Sequence, residues 1–390
     1  EVRQWRALSL PAFAALAHLA TRALMQPRIQ RRDVAGLAGD WPRDVHPVLR
    51  RVYLARGITS PADIEHKLAA LLAPQTLGGI ERACELLDTA IREDARIVIV
   101  GDFDCDGATG TAVGVRGLRL LGAHNVSYAV PNRMRHGYGL SPVIVEELLP
   151  RKPDLLITVD NGVAAHAGVA AAKAHGMRVI VTDHHLPGAF LPDADAMVNP
   201  NLAGDPFLSK SLAGVGVMFY LLLALRSRMR ESGRFAVTAE PDLSTLLDLV
   251  ALGTVADLVP LDRNNRILVE AGMKRIRAGR ACAGIAALLA AGKRDATRVV
   301  ASDLGFAVGP RINAAGRLED MTLGIECLLT DDQGRAHELA ERLSAINAER
   351  RELQDGMTAQ AQTEVEKWIS RRGADGLPHG IVLFDPDWHH

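Results

Sequence analysis

The sequence predicts an α/β protein: a parallel, twisted sheet with flanking helices, a helical N-terminal arm and a long C-terminal connector helix. Three observations predict it. Between residues 97 and 200, short β-branched runs alternate with Ala/Val/Leu-rich stretches of helical period, as βαβ units do. Three of the apolar runs end in an aspartate, where open α/β sheets put their chemistry. Residues 332–372 keep one polar-apolar helical pattern, too long for an ordinary globular helix and suited to a domain connector.

Taken in order, residues 1–25 form an Ala/Leu-rich segment with Arg3, Arg6 and Arg22 around it. It is read as upstream sequence with Met25 as the natural start, in preference to a weak signal peptide. Residues 26–90 read as short helices, with start signals at Asp44–Arg51 and Ser60–Glu65. Arg28, Arg31, Arg32, Arg43, Arg50, Arg51 and Arg56 make this arm basic, which suits a solvated surface or a phosphate contact. Strands are expected at 97–101, 126–130, 155–159, 178–182 and 196–198, and helices at 108–121, 141–149 and 163–175. Further helices are expected at 212–228 and 243–259 and within 264–300, followed by a Gly/Asn-rich loop at 302–318. Gly380–Phe384 reads as the first strand of a further domain. The expected division is a segment 1–25, an arm 26–90, a catalytic domain 91–330, a connector 331–372 and the start of a second domain at 373–390.

At 48% hydrophobic and 4% aromatic residues, the cores must be built from aliphatic side chains. A net charge of −1 gives no global attraction to nucleic acid or membrane, although a local basic groove can sit on a neutral protein. Cys84, Cys105, Cys282 and Cys327 lie far apart without C-x-x-C spacing, which argues against a zinc knot and for a reduced, cytoplasmic setting. No apolar run reaches the roughly 18 residues of a membrane span.

The chemistry is announced by Gly101-Asp102-Phe103-Asp104-Cys105-Asp106-Gly107, directly after the run Ile97–Val100. In extended backbone, period-2 spacing puts Asp102, Asp104 and Asp106 on one side. Three like charges so close disfavour one another's ionisation, and one or two divalent cations are the simplest remedy. A calcium EF-hand is rejected, because its twelfth position would be Val113 and a strand precedes the loop. Leu155–Val159 ends in Asp160-Asn161-Gly162, good turn chemistry when taken alone. Val179–Thr182 ends in Asp183-His184-His185, and Asp257 interrupts the apolar run Leu252–Val259. An aspartate there is costly to bury unpaired. Such a carboxylate-rich set with one or two imidazoles suits Mn²⁺ or Mg²⁺ better than zinc. Two ions roughly 3.5–4 Å apart would share a carboxylate and activate a water for in-line attack on phosphorus. Neither a P-loop nor a Gly-x-Ser-x-Gly nucleophile motif is present.

In this order, Asp-x-Asp-x-Asp-Gly, Val-Asp-Asn-Gly, Asp-His-His and Gly-Thr-Val-Ala-Asp resemble the DHH phosphoesterase superfamily. Pro131-Asn132-Arg133 with His136-Gly137-Tyr138-Gly139-Leu140, Leu212–Val217 and Gly309–Arg317 are similar to its bacterial single-strand-specific 5′-to-3′ exonucleases. That likeness runs from about Pro27 to the C-terminus. The family commonly has Tyr and Ala where Phe103 and Cys105 stand. The resemblance implies that Asp104, Asp106, Asp160, His184 and Asp257 hold two Mn²⁺ or Mg²⁺ ions, with Asp160 as the bridge. It implies catalytic duties for His185, Asp102 and Asp183. Arg133, His136, Arg311, Asn313 and Arg317 would bind substrate, the arginines gripping phosphates with their planar forks; a structural salt bridge is the alternative for Arg311 and Arg317. The implied partner is single-stranded DNA with a 5′ end, supplied by a helicase or a single-strand-binding protein, with no membrane association and a monomeric chain. The implied activity is release of 5′-mononucleotides in DNA repair and recombination. Asp385–His389 matches the opening of a second domain, so the expected chain binds metal but grips single strands weakly. The competing readings are a DHH-type phosphatase acting on small phosphoesters or short oligonucleotides, and a non-enzymatic scaffold. The second should have lost acidic ligands, and none is lost here.

Overall fold

The structure, a computed structural model, describes residues 33–34, 41–133, 135–372 and 380–389. The expectations for residues 1–32, including the start at Met25, lie outside these. The chain divides into two compact units, one running from Glu65 to Ala348 and the other formed by Glu1–Ile64 and Glu349–His390. Within the second, α1 (Pro47–Leu54) starts behind His46, whose ring accepts from the Val48 N–H. Trp41 stacks on Tyr53 there, with ring centroids 6.0 Å apart.

The larger unit begins with α2 (Ile80–Arg92) and is organised by a five-stranded sheet of order β2-β1-β3-β4-β5, every pairing parallel. The strands are β1 (Ile97–Val100), β2 (Val126–Ala129), β3 (Leu155–Val159), β4 (Arg178–Thr182) and β5 (Ala196–Val198). These spans match the β-branched runs to within a residue. The runs are continuous because both faces are covered. Ile97 and Ile99 face one core with α2, α3 (Cys105–Leu120), α6 (Gly214–Glu231) and α7 (Leu247–Ala256). Val98 and Val100 face a smaller one with α4 (Pro142–Leu148) and α5 (His166–Ala174). Val100 pairs with Thr158, and Val159 with Thr182, so the tips of β1, β3 and β4 lie side by side. The chain leaves β1 toward β2 on one side and reappears as β3 on the other, which opens a crevice at those tips. In α3, Gly114 and Gly117 let the helix lie close: a Cβ at Gly114 would stand 2.7 Å from Ile99 Cδ1.

Beyond the sheet come α8 (Arg263–Arg277) and α9 (Ala283–Ala291). The Gly/Asn-rich loop expected at 302–318 is instead helical. A turn at Ala301–Asp303 and a π-helical turn at Leu304–Val308 lead into α10 (Gly309–Leu318). Pro310 sits in the first helical turn, where its missing N–H costs nothing. After α11 (Thr322–Leu329), the 40-residue helix α12 (Gln333–Arg372) bears out the expected long pattern. Residues 380–384 are not a strand: no partner backbone pairs with them among the described residues, and Val382 and Phe384 are exposed. No helix among the described residues is long and apolar enough to cross a membrane.

Candidate metal centre

The acidic heptapeptide does not stay extended. Asp104 is the N-cap of α3, its carboxylate accepting from the Gly107 N–H at 2.9 Å. That capping starts the helix at Cys105 and places Asp106 inside its first turn. Asp106 then accepts from the N–H groups of Gly214 (2.6 Å) and Val215 (2.9 Å), at the start of α6, which has no side-chain cap of its own. The one-sided extended arrangement expected from period 2 is thus replaced by a loop, a cap and a helical turn. The three carboxylates still converge. Asp102, Asp104 and Asp160 offer oxygens within 4.8 Å of one another, as do the ligand atoms of Asp106, His184 and Asp257.

Asp160 is the hinge between these sets. Its φ of 62° is left-handed, a conformation that costs a non-glycine residue roughly 1–3 kcal/mol. Its N–H donates to the Thr182 carbonyl at 3.1 Å. The Tyr138 hydroxyl donates to the Asp160 carbonyl at 2.9 Å. Only glycine fits at position 214, since a Cβ there would lie 2.6 Å from Asp160 Cβ. Asn161 donates to the carbonyls of Val100 (3.1 Å) and Val159 (2.9 Å), tying β1 to β3 below the site.

His184 Nε2 stands 3.0 Å from Asp160 Oδ1, 3.7 Å from Asp257 Oδ2 and 3.9 Å from Asp106 Oδ2. Burial depresses the pKa of His184, which favours its neutral ring. Asp160 Oδ1, His184 Nε2 and Asp102 Oδ1 are buried without a hydrogen-bond partner. Burial, then Asp104, pushes Asp102 up to about 7. Burial, then neighbouring carboxylates, raises Asp106 and Asp160 well above the usual range, and burial also raises Asp257. Buried, mutually repelling, unpartnered acceptors fit cations with oxygen and imidazole ligands.

Asp183 differs. Its carboxylate accepts from Val163 N (2.8 Å), His184 N (2.7 Å), His185 N (3.1 Å) and His185 Nδ1 (2.8 Å). Burial would raise it, but the His185 hydrogen bond and charge and the backbone N–H groups hold it below the usual range. The acceptors of Asp183, for which a catalytic duty is expected, are thus engaged within the fold. The same hydrogen bond raises His185, whose side chain is about half exposed.

The expected substrate residues separate. Arg133 lies over the Phe103 ring with its guanidinium carbon 3.8 Å from the centroid. Burial and Arg317 lower its pKa, against the pull of Asp102 and Asp104, which act to raise it. The ring of His136 accepts from Asn132 N at 2.9 Å and meets Glu147 at 3.1 Å. Arg311 is also engaged within the fold. Its guanidinium donates to Ser344 Oγ (2.8 Å), to the Ala307 carbonyl and to the Ala291 carbonyl (3.3 Å). Asn313 accepts from Cys105 N at 2.6 Å, bracing the acidic loop, and Gly316 lets α10 approach the Phe103 carbonyl, which a Cβ would strike. Sequence reasoning missed the supporting parts played by Tyr138, Gly214 and Asn161. The turn residues around Tyr138 and Asn161 were the available signal.

Residues 96–254 match the DHH family, N-terminal domain. The chain is 53% identical over 368 residues to the "Single-stranded-DNA-specific exonuclease RecJ" of Salmonella typhimurium, covering 94% of this chain and 63% of that protein. It therefore spans less than two thirds of that curated relative's length. A solved structure described as "Crystal structure of exonuclease RecJ bound to manganese" is 39% identical, with a TM-score of 0.66 over 74% of this chain and 70% of that one. A second, RecJ from Thermus thermophilus in complex with Mn²⁺, is 36% identical, with a TM-score of 0.70 over 84% of this chain and 44% of that one.

Proposed function

The chain belongs to the DHH family, and from that premise we propose that it is the phosphodiester-cleaving core of a single-stranded-DNA-specific 5′-to-3′ exonuclease of DNA repair and recombination. The observation that carries this is the buried set Asp102 Oδ1, Asp160 Oδ1 and His184 Nε2, without hydrogen-bond partners at the tips of parallel strands. Two Mn²⁺ or Mg²⁺ ions bound there would supply an activated water and neutralise charge on the phosphate. Asp104, Asp106, Asp160, His184 and Asp257 are the proposed ligands, with Asp160 shared and Asp102 beside them. Asp183 holds His185 by Nδ1, which leaves Nε2 to contact the scissile phosphate and hand a proton to the leaving oxygen. Arg133 and Arg317 grip the phosphates, and Arg133 gains rigidity from its seat on Phe103. Asn313 and Arg311 serve the substrate indirectly, by bracing the acidic loop and α10.

Single-stranded DNA with a 5′ end is the proposed substrate, a helicase or single-strand-binding protein its supplier, and a monomer in the cytoplasm the working form. The arm 26–90, catalytic domain 91–330, connector 331–372 and second-domain start at 373–390 are proposed likewise. The test is release of 5′-mononucleotides from 5′-labelled single-stranded DNA with Mn²⁺. Asp160→Ala is expected to lose more than about a hundredfold, the upper end for residues that merely support ligands. Hydrolysis of pyrophosphate in preference to DNA would instead indicate a small-molecule phosphatase, and unchanged cleavage by Asp160→Ala would remove the basis of the proposal.

A further inference from the structure

Tyr138 lies in the loop between β2 and α4, outside the acidic motifs, yet it reaches the centre of the site. Its hydroxyl donates to the Asp160 carbonyl at 2.9 Å and lies 3.5 Å from His185 Nδ1. Its ring meets Phe103 and His185 edge-on, at centroid distances of 5.8 and 6.0 Å. The loop carrying it is fixed from below, where Leu140 N donates to Asn161 Oδ1 at 3.2 Å. Gly137 and Gly139 on either side take φ of 73° and 66°, which turns the chain sharply at Tyr138.

Asp160 needs such a support. At φ 62° its backbone is in a conformation that a non-glycine residue keeps only when its surroundings over-determine it. Thr182 holds the N–H end of the residue and Tyr138 the carbonyl end. Gly214 leaves only enough room for the side chain, so rotation about Cα is blocked from a third direction. The direction of the carboxylate follows from that backbone. We propose that Tyr138 is a positioning residue for the metal centre: its hydroxyl locks the left-handed backbone of Asp160 and so pre-aims the carboxylate shared between the two ligand sets. Without the hydroxyl, the carbonyl of Asp160 loses the side-chain donor that holds it. The carboxylate then has to be ordered at the expense of ion binding.

The inference rests on the reading that this cluster holds Mn²⁺ or Mg²⁺. Mn²⁺ alone is the probe, titrated into the full chain and followed by calorimetry or by the resonance of free Mn²⁺. Wild type is expected to bind. Tyr138→Phe keeps the ring and its packing, and is expected to bind Mn²⁺ about tenfold more weakly, as for other groups that orient ligands. Its metal-free melting temperature is expected to stay within about 2–4 °C of wild type, the effect of one hydrogen bond. A merely structural tyrosine gives the opposite pattern, a lower melting temperature with unchanged affinity, and that result overturns the proposal. Mn²⁺ binding by Tyr138→Phe equal to wild type also overturns it while leaving the metal reading intact. Absence of binding to wild type overturns both.

Discussion

Asp160 and Asp183 end adjacent parallel strands and are equally buried, at 2% and 1% exposure, yet their surroundings are opposite. Asp183 accepts from three backbone N–H groups and an imidazole, and its pKa falls. Asp160 has an oxygen with no hydrogen-bond partner, faces other carboxylates, and its pKa rises. Burial alone therefore does not separate a structural aspartate from a functional one. What separates them is whether the protein itself completes the hydrogen bonding. Asp183 is complete within the fold, whereas Asp160 waits for something the fold does not supply.

The sharpest break of this comparison is Asp160→Asn. Removing the charge is expected to reduce Mn²⁺ binding more than about a hundredfold, while raising the metal-free melting temperature because a buried repulsion disappears. Calorimetry and a thermal melt check the two halves, and a lower melting temperature would show that the carboxylate is already satisfied. Asp183→Asn should behave the other way round. It leaves backbone donors poorly matched and costs about 1–3 kcal/mol of stability by denaturant unfolding, with a much smaller change in Mn²⁺ affinity.

A pH series extends the contrast without mutation. Asp102 sits near 7 in the folded chain, so its neutral form is the one the metal-free fold favours. A raised carboxylate contributes stability that is full below its unfolded pKa of about 3.9 and lost as pH rises through its folded value. Asp106, Asp160 and Asp257 act in the same direction. The metal-free melting temperature is expected to fall between pH 5 and pH 8, and the rise on adding Mn²⁺ to be larger at pH 8, because ions compete with protons. A flat profile would mean that the cluster is not held as closely as its distances imply. The smallest effect is expected at the brace: Asn313→Ala removes the acceptor of the Cys105 N–H and should cost about 1 kcal/mol in unfolding, with a modest loss of Mn²⁺ affinity.

The sequence made the tips of β1, β3 and β4 legible because β-branched runs buried on both faces leave little doubt about strands, and three carboxylates crowded into Asp102–Asp106 are hard to explain by folding alone. The parallel register levels the tips that carry Asp102, Asp160 and His184, while Asp104 and Asp106 come from the start of α3 and Asp257 from the end of α7. Two things were not legible. Gly305, Gly309, Pro310 and Gly316 read as breakers over 302–318, but Pro310 suits a helix start and Gly316 serves close packing on Phe103. Those are tertiary reasons that local propensity does not carry. Likewise, His136 and Arg311 look like phosphate grips as residue types, and only the structure shows His136 meeting the Asn132 N–H and Glu147 and Arg311 donating to helix carbonyls. Arg133 lies over Phe103 in the acidic loop.

The bond from Cys105 to Asn313 joins residues 208 positions apart. A ribosome adding about 5–20 residues per second makes the acidic loop roughly 10–40 s before it makes the asparagine that braces it. During that interval the nascent chain carries the Asp-x-Asp-x-Asp-Gly loop without α10 behind it. The brace of the acidic loop is therefore synthesised late in the larger unit, and an interrupted product ending before α10 carries the acidic motif without it.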